Sequence, residues 1–145
     1  MILQIIFSFF ASLGFGIIFN IKGKNLIFAS IGGSIGWITY ITLGETNIPV
    51  VLCYLISSII ISTYSEIMAR VLKTPVTTII IASLMPLVPG AGMYYTVYEA
   101  ILGNLHNSIL KGIQTMSYAL SLAVGIILIS TITKQINLIK RKRRN

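Results

Sequence analysis

The sequence predicts an all-α, polytopic membrane protein of about five transmembrane helices, with the fourth broken at Pro86–Gly92. Three observations point there. Of the 145 residues, 55% are apolar and only 10% charged, whereas an ordinary soluble domain is about 25% charged. The apolar residues gather into five segments, at about 2–20, 26–43, 48–69, 76–102 and 113–133, each near or above the roughly 20 residues that cross a hydrocarbon core. The Lys and Arg residues crowd onto alternate joints between them. A soluble enzyme, a disulfide-stapled secreted module and a disordered tail protein are all excluded.

The first segment opens Met1-Ile2-Leu3-Gln4-Ile5, with no basic leader and no small-residue cleavage pattern, so it reads as a retained span. Gly14 and Gly16 suit close packing, and Asn20 marks its end. The second carries Ala29, Gly32, Gly33 and Gly36. Ala29/Gly33 and Gly32/Gly36 are small-x-x-x-small pairs that let another helix approach closely, so Gly32, Gly33 and Gly36 are assigned to helix packing.

Ser58, Ser62 and Glu66 in the third segment recur at i, i+4, i+8 and form one polar stripe on a helix. Arg70 stands four residues beyond Glu66. Ionisable groups within a membrane are costly and face a pathway or a partner. Glu66 is therefore a proton-coupling carboxylate, a partner for a solute's cation, or one member of a structural ion pair with Arg70 that holds helix to helix, and Lys73 with Pro75 marks the membrane boundary.

The fourth segment is interrupted by Met85-Pro86-Leu87-Val88-Pro89-Gly90-Ala91-Gly92. Two prolines remove backbone donors and two glycines permit unusual dihedrals, so a continuous helix is not expected. Counting about ten residues from Pro75 at 1.5 Å each places the break roughly 15 Å deep, near the middle of a core about 30 Å thick. Irregular backbone at that depth must be buried in protein or line a wet cavity. Pro86, Pro89, Gly90 and Gly92, followed by Tyr94 and Tyr98, are the substrate-binding candidates. A proline kink with aromatic packing is the plain alternative. Glu99 is placed toward the outer end of this segment.

The fifth segment follows a joint read as loop from Gly103 to Gly112 and leads into a basic tail at 140–145, Lys140-Arg141-Lys142-Arg143-Arg144-Asn145. The segments form a single transmembrane domain over 1–139. If each crosses once, Lys22, Lys24, Arg70, Lys73, Lys134 and the tail share one side and Lys111 stands alone on the other. The positive-inside rule then puts the N-terminus outside and the C-terminus in the cytoplasm. The net charge of +8 is expected to serve the anionic surface of the lipid bilayer rather than nucleic acid. One Cys, one His and no Asp provide neither a catalytic set nor metal-ligand spacing. No enzyme activity, metal or cofactor is expected.

Three blocks carry a resemblance. They are Gly14-Phe15-Gly16-Ile17-Ile18-Phe19-Asn20 leading into Gly32-Gly33-Ser34-Ile35-Gly36-Trp37, Ser65-Glu66-Ile67-Met68-Ala69-Arg70-Val71-Leu72-Lys73-Thr74-Pro75, and Met85-Pro86-Leu87-Val88-Pro89-Gly90-Ala91-Gly92-Met93-Tyr94. Their order and spacing resemble the threonine/serine exporter superfamily, in particular its short YjjB-like subunit, equivalent to the C-terminal membrane half of the fused exporter.

The resemblance implies a secondary exporter of small carboxylates in the bacterial plasma membrane. Its fused members resemble proton-driven threonine and serine exporters, and its split members are associated with succinate. It also implies a larger exporter-family membrane subunit as partner, so this chain is expected to be half of a transporter. A homo-oligomer is the other assembly considered. A structural or assembly subunit without its own solute site, and a holin-like pore former, are the rival functions.

Overall fold

The computed structural model describes the backbone of residues 1–142 and the side chains of residues 1–139. The side chains of the basic tail expected at 140–145 lie outside the described residues. Six α-helices follow the chain: α1 (Ile2–Ile18), α2 (Lys24–Gly44), α3 (Val50–Val71), α4 (Val76–Leu84), α5 (Gly90–Ile101) and α6 (Leu105–Lys142), with a 3-10 turn at Met85–Leu87 between α4 and α5. No strand occurs among the described residues.

Three joints are closed by the same device. After α1, Asn20 adopts a left-handed conformation (φ 58°) while Ile21 N–H donates to Gly16 C=O and Asn20 N–H to Ile17 C=O. After α3, Lys73 (φ 51°) is flanked by Thr74 N–H to Ala69 C=O and Lys73 N–H to Arg70 C=O. After α5, Gly103 (φ 79°) sits among Asn104 N–H to Glu99 C=O and Gly103 N–H to Ala100 C=O. Each is a Schellman cap, which satisfies carbonyls that a helix end leaves open. Only Gly103 occupies the left-handed position without a Cβ penalty.

α2, α3 and α6 are long and apolar enough to cross a membrane. α4 with its 3-10 turn and α5, bent by 52° at the break, make a fourth crossing when taken as one span. Projected on the α4 axis, the bent pair reaches about 30 Å, close to one hydrocarbon thickness. α1 has 17 residues, at the short end of the spanning range. The five-crossing count rests on α1 and the bent pair making one crossing each.

α2 is the hub, packed on α1, α3 and α4, while α3 packs on α6 and α4. The hub is possible because its glycines remove side chains where neighbours arrive. A Cβ on Gly33 would collide with Ser12 of α1, one on Gly32 with Ser83 of α4, and one on Gly36 with Ile61 of α3. All three glycines serve contacts inside this chain. On α6, Gly125 plays the same part against Ser58. In a membrane, where lipid is as apolar as leucine, this close van der Waals packing replaces a hydrophobic driving force.

Interhelical hydrogen bonds pin the contacts. Ser83 Oγ donates to Ala29 C=O at 2.8 Å, and Tyr64 Oη to Phe28 C=O at 2.9 Å. Such bonds contribute about 0.6 kcal/mol each on average. The apolar core is small: Ile21, Ala29, Ile79 and Ala82 form one cluster and Ile61, Ile80, Leu87 and Leu122 another.

The largest departure from the sequence expectation is α6. The joint read as loop at Gly103–Gly112 is helical from Leu105, and the helix runs to Lys142. The extra turns form because α5 gives them something to pack on. Ser108 Oγ donates to Thr96 C=O at 2.7 Å, Lys111 Nζ pairs with Glu99 Oε1 at 2.7 Å, and Lys111 also lies over the Tyr95 ring, 5.1 Å from its centroid.

Candidate functional site

Two places concentrate the candidate residues: the break after α4, and a cleft where α3 ends beside α6.

At the break, Pro86 has no N–H to continue the helix. The chain tightens, with Val88 N–H donating to Met85 C=O at 3.3 Å. Pro89 (φ −76°, ψ 56°) then forms an inverse γ-turn, closed by Gly90 N–H to Val88 C=O at 2.7 Å. α5 starts immediately afterward at Gly90.

The six candidates of this segment do not share one cavity. Pro86 lies against Gly33 and lines a mostly apolar cavity of about 300 Å³ with Gln4, Phe7, Ser8, Ala11 and Trp37. Pro89 is buried. Gly90 is exposed and a Cβ there would meet open space, whereas Gly92 abuts Thr115 of α6. Tyr94 and Tyr98 are 62% and 44% exposed and stack on each other, centroids 5.9 Å apart. The break thus joins a buried half to an exposed one.

The second place is built around Glu66. Its side chain is only 14% exposed and meets Arg70 Nη2 at 3.5 Å on the same helix. The ion pair is therefore intrahelical and does not tie one helix to another. Glu66 lines a cleft of about 360 Å³ with Val76, Ser130, Thr133, Lys134, Asn137 and Leu138. Among the described residues Lys134 pairs with no carboxylate.

The α6 contribution was absent from the sequence reading, where Lys134 counted only toward the charge of one side. Ser130, Thr133, Lys134 and Asn137 recur at i, i+3, i+4 and i+7, the spacing of one helix face. That pattern was available in the sequence.

The chain has three acidic residues, and their surroundings separate them. Glu45 is exposed at the end of α2. Glu99 is occupied by Lys111 and by Asn104 Nδ2 at 3.1 Å. Glu66 and Glu99 are shielded to the same degree, 14% and 15% exposed, and Glu66 lines a cleft. On the other side of α4, a cleft of about 480 Å³ contains Lys22, Asn20, Asn25, Thr77 and Thr78 but no acid.

A family model described as threonine/serine exporter, ThrE, matches residues 4–132. The chain belongs to the threonine/serine exporter family. It is accordingly a multi-pass membrane protein of a transporter family, and its apolar outer surface, including Ile2, Phe7, Ile18, Ile101 and Ile127, is the surface expected against lipid. No curated protein and no solved structure matches the chain.

Proposed function

We propose that the chain is the short membrane subunit of a secondary exporter for small carboxylates, threonine/serine or succinate-like. In this reading it works with a larger exporter-family subunit in the bacterial plasma membrane. Its N-terminus is outside and its C-terminus cytoplasmic, the orientation that gathers the Lys and Arg residues on one side. Glu66 is the proton-coupling carboxylate, and the Pro86–Gly92 break separates a fixed half-helix from one that can meet the partner.

The observation that carries the reading is Glu66 in its cleft, within a chain of an exporter family. A coupling group has to be shielded enough for protonation to matter and open enough to exchange a proton. The charged groups facing it are Arg70 on its own helix and Lys134 on α6, while α4 contributes the uncharged Val76.

The bundle interior supports the need for a second subunit. Ala29, Ile61, Ile79 and Ala82 are fully excluded from solvent, so a solute path lies along the outside of this bundle and is completed by another surface. The small-residue stripe of α2 does not favour the assembly-subunit alternative, because its glycines are used within the chain.

Efflux from cells preloaded with threonine, serine or succinate tests the reading, comparing this chain alone, the large subunit alone and both together. Efflux only with both is expected. Efflux with this chain alone removes the obligate partner, and efflux of none of the three removes the solute class. Glu66→Gln is expected to abolish the response to an imposed pH gradient at unchanged expression. Wild-type pH dependence in that variant removes the coupling role.

A further inference from the structure

Three helix ends meet on the side of α4 away from Glu66. α1 stops at Ile18, α2 starts at Lys24 and α4 starts at Val76, and a cleft of about 480 Å³ lies between them. Asn20, Lys22, Asn25, Thr77 and Thr78 make its polar part. Asn25 is held in place by donating from Nδ2 to Thr74 Oγ1 at 3.3 Å. Threonines farther along a helix, such as Thr63 and Thr96, turn their hydroxyls back onto their own carbonyls. Thr77 and Thr78 occupy the first turn of α4, where the chain four residues behind is not helical, so their hydroxyls are left to the cleft.

The charges around this cleft have one sign. Lys22 is in its wall, Lys24 adjoins Asn25, and Lys73 adjoins Thr74. The three acids are elsewhere: Glu45 caps the far end of α2, Glu99 is held by Lys111, and Glu66 with Arg70 faces the cleft across α4. The remaining side is apolar and faces outward. Phe19 and Ile81 line it and are 42% and 44% exposed. The apolar surface continues away from the charged end. Phe15 stands one turn before Phe19 on α1, its ring 6.2 Å from that of Phe19, and Ile81 stands one turn beyond Thr77 on α4.

We infer that this cleft holds the headgroup of an anionic glycerophospholipid. The phosphate sits against Lys22 and the hydroxyls of Thr77 and Thr78, with Asn20 and Asn25 beside the headgroup's own hydroxyls. The acyl chains run outward past Phe19 and Ile81. The volume suits it, lying within the range of small-ligand sites.

The two-part lining decides among occupants. A free anion would use the polar part and leave the apolar side uncovered. A zwitterionic headgroup would bring an ammonium among three lysines. An anionic lipid satisfies both parts at once. Bound there, it ties the start of α4 to α1 and α2 in the leaflet on the Lys22 side, and so anchors the buried half of the broken segment. The inference does not depend on which solute is exported.

Native mass spectrometry of the full chain in detergent tests the site, with dioctanoyl phosphatidylglycerol as the probe. A saturable lipid adduct is expected, with dioctanoyl phosphatidylcholine about fivefold weaker or more. Lys22→Gln should weaken the phosphatidylglycerol adduct by about fivefold, as for one basic residue beside an anionic lipid, and Thr77→Val by a smaller factor. Lys22→Arg should retain it. Lys140→Gln, which removes a charge from the tail, should leave it nearly unchanged. An unaltered thermal midpoint without lipid shows that each variant keeps the fold.

Equal binding of phosphatidylcholine, or unchanged affinity in Lys22→Gln or Thr77→Val, overturns the site. A loss in Lys140→Gln as large as that in Lys22→Gln also overturns it, because attraction to charge at large would then suffice. Inorganic phosphate at equal concentration is expected not to displace the lipid; displacement means a free-anion site and overturns the lipid. Every readout is separate from efflux, so failure of the exporter reading leaves the lipid site standing, and failure of the lipid site leaves the exporter reading standing.

Discussion

The two halves of the fourth apolar segment have the same neighbours in sequence and opposite fates in space. α4 buries Ile79, Ile80, Ala82 and Ser83 against α2 and α3 and is pinned by Ser83 to Ala29. α5 buries no residue and packs on α6. Its tyrosines face outward. The difference teaches that the prolines do more than kink a span: they end the part of the segment that belongs to the bundle. Beyond Pro89 the chain is held by one helix, through Gly92 against Thr115, Ser108 to Thr96 and Lys111 to Glu99.

That contrast can be broken most severely on the α4 side. Gly33→Val drives a branched side chain into Ser12 and toward the Pro86 ring. Overpacking of this kind costs about 1–3 kcal/mol and occasionally more, and here the helices cannot separate without losing α2 as hub. The expected outcome is little or no monodisperse protein by size-exclusion chromatography in detergent. A normal profile and thermal midpoint for Gly33→Val would show that α1, α2 and α4 are not packed as described.

A smaller effect is expected where α5 meets α6. Gly92→Ala places a methyl group against Thr115, while Gly90→Ala, two residues earlier, meets open space. The first should lower the thermal midpoint and speed hydrogen exchange in α5. The second should leave both unchanged or slightly improved, since alanine favours a helix more than glycine. Equal behaviour of the two would erase the distinction between a packed and an open glycine.

The smallest effect sharpens the comparison. Glu99→Gln removes the carboxylate that holds Lys111. The lysine side chain is 38% exposed, so solvent screens the pair and its contribution to stability is small. Hydrogen exchange of α5 amides should quicken by no more than about fivefold, with α4 amides unmoved. Equal acceleration in α4 would mean that the two halves open together.

Much of the fold was legible because it depends on local composition. Apolar runs mark the helices, and Pro86 with Pro89 cannot lie inside a continuous one, whatever surrounds them. Two other features depend on distant partners. Gly103–Gly112 reads as loop in isolation, and becomes helix from Leu105 because Lys111 and Ser108 find Glu99 and Thr96 across the turn.

At the candidate site, the Ser58–Ser62–Glu66 stripe was visible on α3, but what faces it was not. Ser130, Thr133, Lys134 and Asn137 hold the spacing of one helix face, yet nothing local says that this face turns toward Glu66. The break also promised a single cavity for Pro86, Gly90 and Tyr94. Sequence proximity could not show that a 52° bend sends the tyrosines away from Pro86.

The wall of the Pro86 cavity has a practical use. Trp37 is the one tryptophan in the chain, and it stands there beside Pro86, 5.4 Å from the Tyr40 ring. Indole emission shifts to longer wavelength as its surroundings become wetter, and neighbouring phenols transfer excitation to it. The intrinsic fluorescence of the unaltered chain therefore reads out hydration at the broken helix, and a solute or partner that opens or fills this spot announces itself as a change of colour without any added label.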